Sequence, residues 1–527
     1  MKSIKPFALL RWLLALVALG IMLAVLLNKS PREEMPPEPA PVAAEPVASS
    51  EPDMAEEVFG SPLPALESLE QLDLETPPAR RGLDLQHWTT SQGTKVYYMQ
   101  ADELPMLDVQ LLFAAGASRD GDKPGLAMLT NALLNEGTER LSADDIASGF
   151  ERLGAQFSNS AYRDMGLITL RSLTASDKLE PALALFAQIL AEPAFPAKAV
   201  ERVREQMLAG LQYRLQSPGA QASEAFWSAL YPEHPYGILP DGQADSLKAI
   251  SRADLQRFHN TYYSSGNAVI ALVGAISREQ AEQLAQHLAD ALPDGPAAEL
   301  TPEPQPVTAS RIQVDFNSEQ TQVIVGQQGI KRGDPDYAAL YLGNQILGGS
   351  GFGSRLMEQV RENRGLAYSV SSGFTPMQAP GPFSINLQTR NDQAALALEV
   401  VNSTLDEFIA KGPTEAELAR AKQQVLGQFP LSTASNSAIV GQLAAIGFYH
   451  LPLNQMQLFM DEVQALTAEQ IQSAFAAHLD PSQRVTITVG PPQPEADAEP
   501  DTENAEQSEA EAIPAPAETS PTEKATP

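Results

Sequence analysis

Twice along the chain, a run that alternates apolar and polar residues is followed by one in which apolar residues recur every three or four positions. The first pair is DVQLLFAAGASRD (108–120) and KPGLAMLTNALLNEGT (123–138). The second is TQVIVGQQGIKRGD (321–334) and PDYAALYLGNQILGG (335–349). A period of two turns one face of a strand inward, and a period near 3.6 does the same for a helix. Gly116 corresponds to Gly329 and Asn131 to Asn344 at a single offset of 213, so the chain contains an internal repeat. Further on, FPAKAVERVREQMLAGL (195–211) corresponds to GPTEAELARAKQQVLGQF (412–429), with Arg204 on Lys422 and Leu208 on Leu426 at an offset of 218. LITLRSL (167–173) and FSINLQTR (383–390) alternate as antiparallel strands do. NAVIALVG (267–274) and RVTITVG (484–490) read as apolar strands that stop at Gly274 and Gly490, and SREQAEQLAQHLADAL (277–292) has helical spacing. The expected fold is α+β. Two homologous domains, 82–292 and 311–490, each form an antiparallel-rich sheet with helices on one face. A Pro-rich linker, 293–310, joins them.

The two ends follow neither period. From Pro6 to Leu27 the chain is apolar except for Arg11, with Lys2 and Lys5 before it. About 20 such residues span a bilayer, and the basic start keeps the N-terminus inside. Residues 1–30 are therefore expected to be a signal-anchor. In a bacterium that means a single pass through the inner membrane, with the body in the periplasm. The alternative is a cleaved signal peptide that frees the body into the periplasm, although Leu26-Leu27-Asn28-Lys29 lacks a small-x-small cleavage site. Residues 31–81 are rich in Pro, Ala and Glu, and residues 33–76 hold twelve acids and no base. Residues 491–527 hold ten acids and only Lys524. Few apolar residues and many like charges do not offset chain entropy, so a disordered spacer and a disordered tail are expected.

Composition removes several functions. The 527 residues carry a net charge of −31, which argues against a nucleic-acid partner. The chain has no Cys, which excludes disulfides, thiolate metal sites and a Cys nucleophile. Its six His (87, 234, 259, 287, 450, 478) lie too far apart in sequence for a local imidazole site.

Three stretches together have a specific likeness: AGASRDGDKPGLAMLTNALLNEGT (115–138), HPYGILPDGQADSLKAISRADLQRFHNTYYSSGNAVIALVG (234–274) and ILGGSGFGSRLMEQVRENRGLAYSVSSG (346–373). Over residues 84–490 the chain resembles the pitrilysin/insulinase family of metallopeptidases, the inverzincins, which includes the mitochondrial processing peptidase. The resemblance implies a clamshell of homologous domains around a peptide chamber, of which this chain would form half. Active members carry H-x-x-E-H on the first helix, where two His one turn apart bind Zn²⁺ and the Glu activates water. Here Met128 and Ala132 stand at the His positions and Asn131 at the Glu position. Near the family's third ligand the sequence reads Met207-Leu208-Ala209-Gly210-Leu211, without a carboxylate; Glu201 and Glu205 lie close by and read as solvated surface. No metal is expected in this chain.

The second copy keeps a motif from the family's non-zinc domain, an Arg and a Tyr seven residues apart, here Arg361 and Tyr368. The resemblance implies that the pair faces the zinc across the chamber, where Tyr donates to the oxyanion and Arg holds a substrate carbonyl. A plainer reading pairs Arg361 with a surface acid and packs Tyr368 at a strand start. Gly348, Gly349, Gly351 and Gly353 precede the motif. They read either as a bare loop between helices or, by resemblance, as a contact for the incoming peptide. The expectation is a zinc-less subunit, inactive alone. It would join a homologous zinc-bearing subunit as a heterodimer, with the Zn in that partner, to hydrolyse peptides. A non-enzymatic peptide-binding or scaffold protein of the same fold is the alternative.

Overall fold

The computed structural model describes residues 83–492. The anchor expected over 1–30, the spacer over 31–81 and all but the first two residues of the tail over 491–527 lie outside the described residues. Among the described residues, no helix is long and apolar enough to cross a membrane.

Strands β1 (Gln86–Thr89), β2 (Lys95–Gln100), β3 (Met106–Phe113), β4 (Gln156–Ala161), β5 (Gly166–Leu173) and β6 (Ala268–Gly274) form one sheet, ordered β1-β2-β6-β3-β5-β4. Strands β7 (Ser310–Asp315), β8 (Gln320–Gln328), β9 (Ala367–Phe374), β10 (Pro382–Arg390) and β11 (Val485–Gly490) form the other, ordered β7-β11-β8-β10-β9. Without β1 the two orders are equivalent. Each has one parallel pair at the same place, β2 with β6 and β7 with β11, and antiparallel pairs elsewhere. In each copy the strand before the first helix lies antiparallel to the copy's last strand, with Val109 facing Leu272 and Ile324 facing Ile487. The duplication thus extends to the hydrogen-bonded partners.

The first copy carries helices α1 (Leu126–Ala132), α2 (Ala143–Leu153), α3 (Ser176–Ala191), α4 (Ala197–Leu215), α5 (Pro218–Leu230), α6 (Ala244–Ala249), α7 (Arg252–Tyr262) and α8 (Arg278–Ala291). The second carries α9 (Tyr337–Asn344), α10 (Ala394–Lys411), α11 (Glu415–Ser432), α12 (Asn436–Phe448), α13 (Gln455–Ala465) and α14 (Ala468–His478). Residues 293–309 form neither helix nor strand.

Helices cover both faces of each sheet, which corrects the expectation of one. On the first sheet, Tyr98, Val109, Ile270 and Leu272 face the copy's own helices. Tyr97, Leu112, Val269 and Ala271 face the other way, against Ile439, Val440 and Leu443 of α12. In return α5 crosses the second sheet, packing Phe226 and Leu230 on Ile324 and Ile487. Helices α5 and α12 start 218 residues apart, so the copies exchange equivalent helices. The physical reason lies in the central strands: β6 is buried at all seven positions, and one uncovered face would leave a broad apolar patch in water. Close approach needs Gly447 on α12, where a Cβ would lie 2.5 Å from both the Tyr97 ring and Val269.

A buried polar hub ties the copies together. Asp164 accepts from the Tyr236 hydroxyl at 2.5 Å and from the Gln378 backbone N–H at 2.8 Å. Gln378 Oε1 accepts from the N–H and hydroxyl of Thr301, in the segment between the copies. Burial pushes the Asp164 carboxyl up, while Tyr236 and the Gln378 N–H pull it down.

Three elements are shorter than their patterns. Helix α1 fills only Leu126–Ala132 of 123–138, because Gly125 sits at φ 96° and the next turn tightens, with Leu133 and Leu134 donating to Thr130 and Asn131. Strand β8 stops at Gln328, and α9 stops at Asn344 before a π-helical turn over Gln345–Gly349.

Candidate functional site

The positions that correspond to the zinc site lie in the first copy's helix layer. Asn131 is buried, and its Nδ2 donates to the Tyr263 hydroxyl at 3.1 Å. Its backbone carbonyl accepts from Asn159 at 2.5 Å. Ala132 packs on the first core, as do Met207, Leu208 and Leu211 of α4. Glu201 is exposed and paired with Arg204 at 2.6 Å, and Glu205 is exposed. A thioether, a committed amide and a methyl group do not fit a zinc ion, which needs imidazole, thiolate or carboxylate donors. Asn344, the counterpart of Asn131, exchanges two hydrogen bonds with Ser372, so both copies use this position to tie a helix to an edge strand or its neighbourhood.

Asp120 holds the start of α1 by accepting from the backbone N–H groups of Gly125 and Ala127, each at 2.7 Å. Burial pushes its carboxyl up to about 7, against the pull of those two donors. An unfolded Asp titrates near 4, so between that pH and about 7 the folded chain holds a proton that the unfolded chain has lost. This contribution to stability is fully present below about pH 4 and is lost as pH rises through about 7. The stability difference between wild type and Asp120→Asn is therefore expected to move in the variant's favour from pH 5 to pH 8. Denaturation midpoints across that range check it, and a constant difference contradicts it.

Tertiary structure also makes a cluster that sequence spacing could not show. Among the described residues, ligand atoms of Asp334, Asp336 and His478 lie within 4.8 Å of one another. They already satisfy each other: His478 Nε2 lies 2.9 Å from Asp336 Oδ2, and the Asp336 N–H donates to Asp334 at 2.9 Å. His234 is structural, bonding the Pro302 carbonyl and the Tyr236 N–H.

In the second copy, Arg361 and Tyr368 come together. Arg361 follows from the π-helical turn Met357–Glu362, and Tyr368 from β9, the edge strand of its sheet. The guanidinium carbon lies 4.7 Å from the Tyr368 ring centre and 4.7 Å from that of Phe352. Among the described residues no carboxylate pairs with Arg361, and Tyr368 is 82 % exposed. The surface ion pair and the packed strand-start ring are therefore absent. The register explains the exposure. Leu387 faces Val370 but Thr389 faces Ala367, so Tyr368 and Ser369 together oppose Gln388. This bulge in β9 turns two consecutive side chains outward. Strand β4, the counterpart in the first copy, pairs with β5 without such a shift.

The four glycines divide into two kinds. Gly348 is buried, and a Cβ there would lie 2.5 Å from Ser372 Oγ; at Gly349 it would lie 2.6 Å from Asn344 Nδ2. These two allow close packing. Gly351 and Gly353 adopt φ 71° and 87° with open space where a Cβ would be. They flank Phe352, 69 % exposed, which the sequence reading missed. The available signal was an aromatic ring between two glycines. Chemically, the arrangement offers a cation held between two aromatic faces, beside a phenol hydroxyl, on an open sheet edge.

Comparison with known proteins gives two profile matches. Residues 95–238 match the profile of the insulinase family, peptidase family M16, and residues 249–425 match that of the peptidase M16 inactive domain. A protein of Helicobacter pylori named "Non-peptidase homolog YmxG" is 30 % identical over 394 residues, covering 73 % of this chain and 89 % of its own. An "uncharacterized zinc protease" of Mycobacterium bovis is 28 % identical over 371 residues, covering 70 % and 84 %. The crystal structure of a peptidase M16 inactive domain from Pseudomonas fluorescens is 50 % identical, with a TM-score of 0.76, covering 78 % of this chain and 99 % of its own.

Proposed function

The chain belongs to the insulinase (M16) family of peptidases, and we propose that it is the zinc-less subunit of a two-chain member. In this reading it closes on a homologous zinc-bearing subunit, which holds the Zn. It contributes half of the chamber wall, together with Arg361 and Tyr368. The observation that carries the reading is Arg361, stacked between Phe352 and Tyr368 with no carboxylate of its own among the described residues. A guanidinium held this way is free for a substrate carbonyl, and the neighbouring hydroxyl is free to donate to an oxyanion. Zinc would polarise the scissile carbonyl and activate water in the partner; this chain's residues would bind the peptide and steady the charge. Residues 1–30 anchor the body to the bacterial inner membrane from the periplasmic side, and the acidic spacer holds it off the surface.

A second reading is a scaffold or peptide-binding protein of the same fold. It is favoured by the apolar packing at the old metal positions and by the relative named a non-peptidase homologue. Purification of the tagged chain separates the two. The first reading expects a similar chain carrying H-x-x-E-H to co-purify, with zinc and peptidase activity in the complex and neither in this chain alone. Recovery without such a partner, or activity in this chain alone, would falsify it.

A further inference from the structure

The aromatic cover on Arg361 depends on a loop that packing does not hold. Residues 350–356 lie between two π-helical turns, Gln345–Gly349 and Met357–Glu362, a rare geometry that recurs at functional sites. Phe352 is 69 % exposed, and Gly351 and Gly353 on either side of it border open space. Within the loop, the Ser354 N–H and hydroxyl both donate to the Gly351 carbonyl, at 3.1 and 2.7 Å. These bonds close the turn but do not fix it to the body.

Arg355 supplies that tie. Its Nε and Nη2 donate to the two carboxylate oxygens of Glu417 at 2.7 and 2.8 Å, and Nη2 donates also to the Gly412 carbonyl at 3.0 Å. Its guanidinium carbon lies 5.0 Å from the ring centre of Phe408 on α10. A bidentate pair fixes the planes of both groups. The two side chains are only 19 % and 17 % exposed, so salt screens them little. Glu417 is held from its other side by the start of α11, where it accepts from the Thr414 N–H at 2.7 Å and hydroxyl at 2.8 Å. The Arg355 guanidinium pulls the Glu417 carboxyl down to about 2, so the pair is ionised at neutral pH.

The fold does not need this pair. At the offset of 218, Glu417 corresponds to Ala199, and α4 forms there with neither an acid in its first turn nor a side-chain cap. The pair occurs only in the copy that carries Arg361 and Tyr368. Arg355 stands three residues after Phe352 and six before Arg361, so anchoring it sets the point from which both side chains leave.

We propose that Arg355 is a positioning residue: paired with Glu417, it holds the Phe352 ring over the Arg361 guanidinium, and so presents Arg361 and Tyr368 together at the sheet edge. Among the described residues, no hydrogen bond or ring contact joins Arg355 to Phe352, Arg361 or Tyr368, so it acts through the loop. Any effect of this role on catalysis rests on the reading of Arg361 and Tyr368 as substrate-facing.

Phenylglyoxal modification of the full-length chain, mapped by mass spectrometry, measures how freely Arg361 is reached. Arg355→Met keeps an apolar stem over Phe408, and Glu417→Gln keeps an acceptor in the α11 cap, so both variants are expected to fold. In each, the rate at Arg361, relative to the exposed Arg257 of the first copy, is expected to rise about fivefold, as for loss of one cation–π face. Phe352→Ala is expected to give the same rise. Adding Arg355→Met to Phe352→Ala should give no further rise, because a residue that acts through Phe352 then has nothing left to move. An unchanged rate in both anchor variants overturns the positioning role. So does a second rise of about fivefold in the double variant, which would mark general loosening. Peptide hydrolysis by the proposed two-chain complex tests the other reading separately. Anchor variants that free Arg361 yet keep the wild-type kcat/KM would remove Arg361 from substrate binding and leave its positioning by Arg355 standing.

Discussion

In the proposed two-chain complex, replacing Tyr368 by Phe is expected to lower kcat by roughly 10²–10³, or about 2.7–4 kcal/mol of transition-state stabilisation. The change removes one hydroxyl and nothing else. Since the side chain is 82 % exposed, the thermal midpoint of this chain is expected to stay put, within about 0.5 kcal/mol. KM should change little, because a donor aimed at developing charge acts in the transition state rather than on the bound peptide. Arg361→Ala is expected to lower kcat/KM as well, and Arg361→Lys not to restore it, since an ammonium lacks the planar fork that stacks between Phe352 and Tyr368. Steady-state kinetics with each variant in the reconstituted complex decide the matter. Equal rates for Tyr368→Phe and wild type would remove Tyr368 from the chemistry and favour the scaffold reading.

The second large effect concerns stability. Phe226→Ala is expected to cost about 3–5 kcal/mol, as for a fully buried aromatic ring in a well-packed core. The informative part is where the damage appears. Phe226 belongs to the first copy in sequence but is 3 % exposed against Ile324 and Ile487 of the second sheet. Denaturation of the variant, followed by hydrogen exchange in β8 and β11, should therefore show the second sheet loosened by a change in the first copy. Leu443→Ala in α12 is expected to do the reverse, loosening β3 and β6 at about 2–5 kcal/mol. If each variant loosened only the copy it belongs to, the exchanged helices would not be holding the two sheets together.

Some of this was legible in the chain and some was not, for particular reasons. The repeat offsets near 213–218 and the apolar periodicities located β3, β5, β6, β8, β10, β11 and the helices α4, α8 and α11, because strand and helix periods are local properties. Strands β1, β2, β4 and β7 escaped, and β9 entered only as a strand start at Tyr368. The polar QFSNSA of β4 is an example: it lies at a sheet edge, where no apolar pattern is required. The length of α1 was misread because the turn after it keeps apolar residues at helical spacing, although Gly125 and Asp120 set its start. The absence of zinc ligands on α1 was plain from residue identity alone. The surroundings of Arg361 were not, since Phe352 is nine residues away and its contact depends on how a glycine loop folds back.

The sequence by itself determined the duplication, the family likeness and the loss of zinc donors at Met128, Asn131 and Ala132, because each depends on residue type at a fixed spacing. Only the tertiary structure decided which helix covers which sheet, since apolar strands such as β6 and β11 require cover on both faces but do not specify its source. It alone also decided that a bulge opposite Gln388 turns Tyr368 outward beside Arg361, because register is a property of paired strands and is written in neither strand alone.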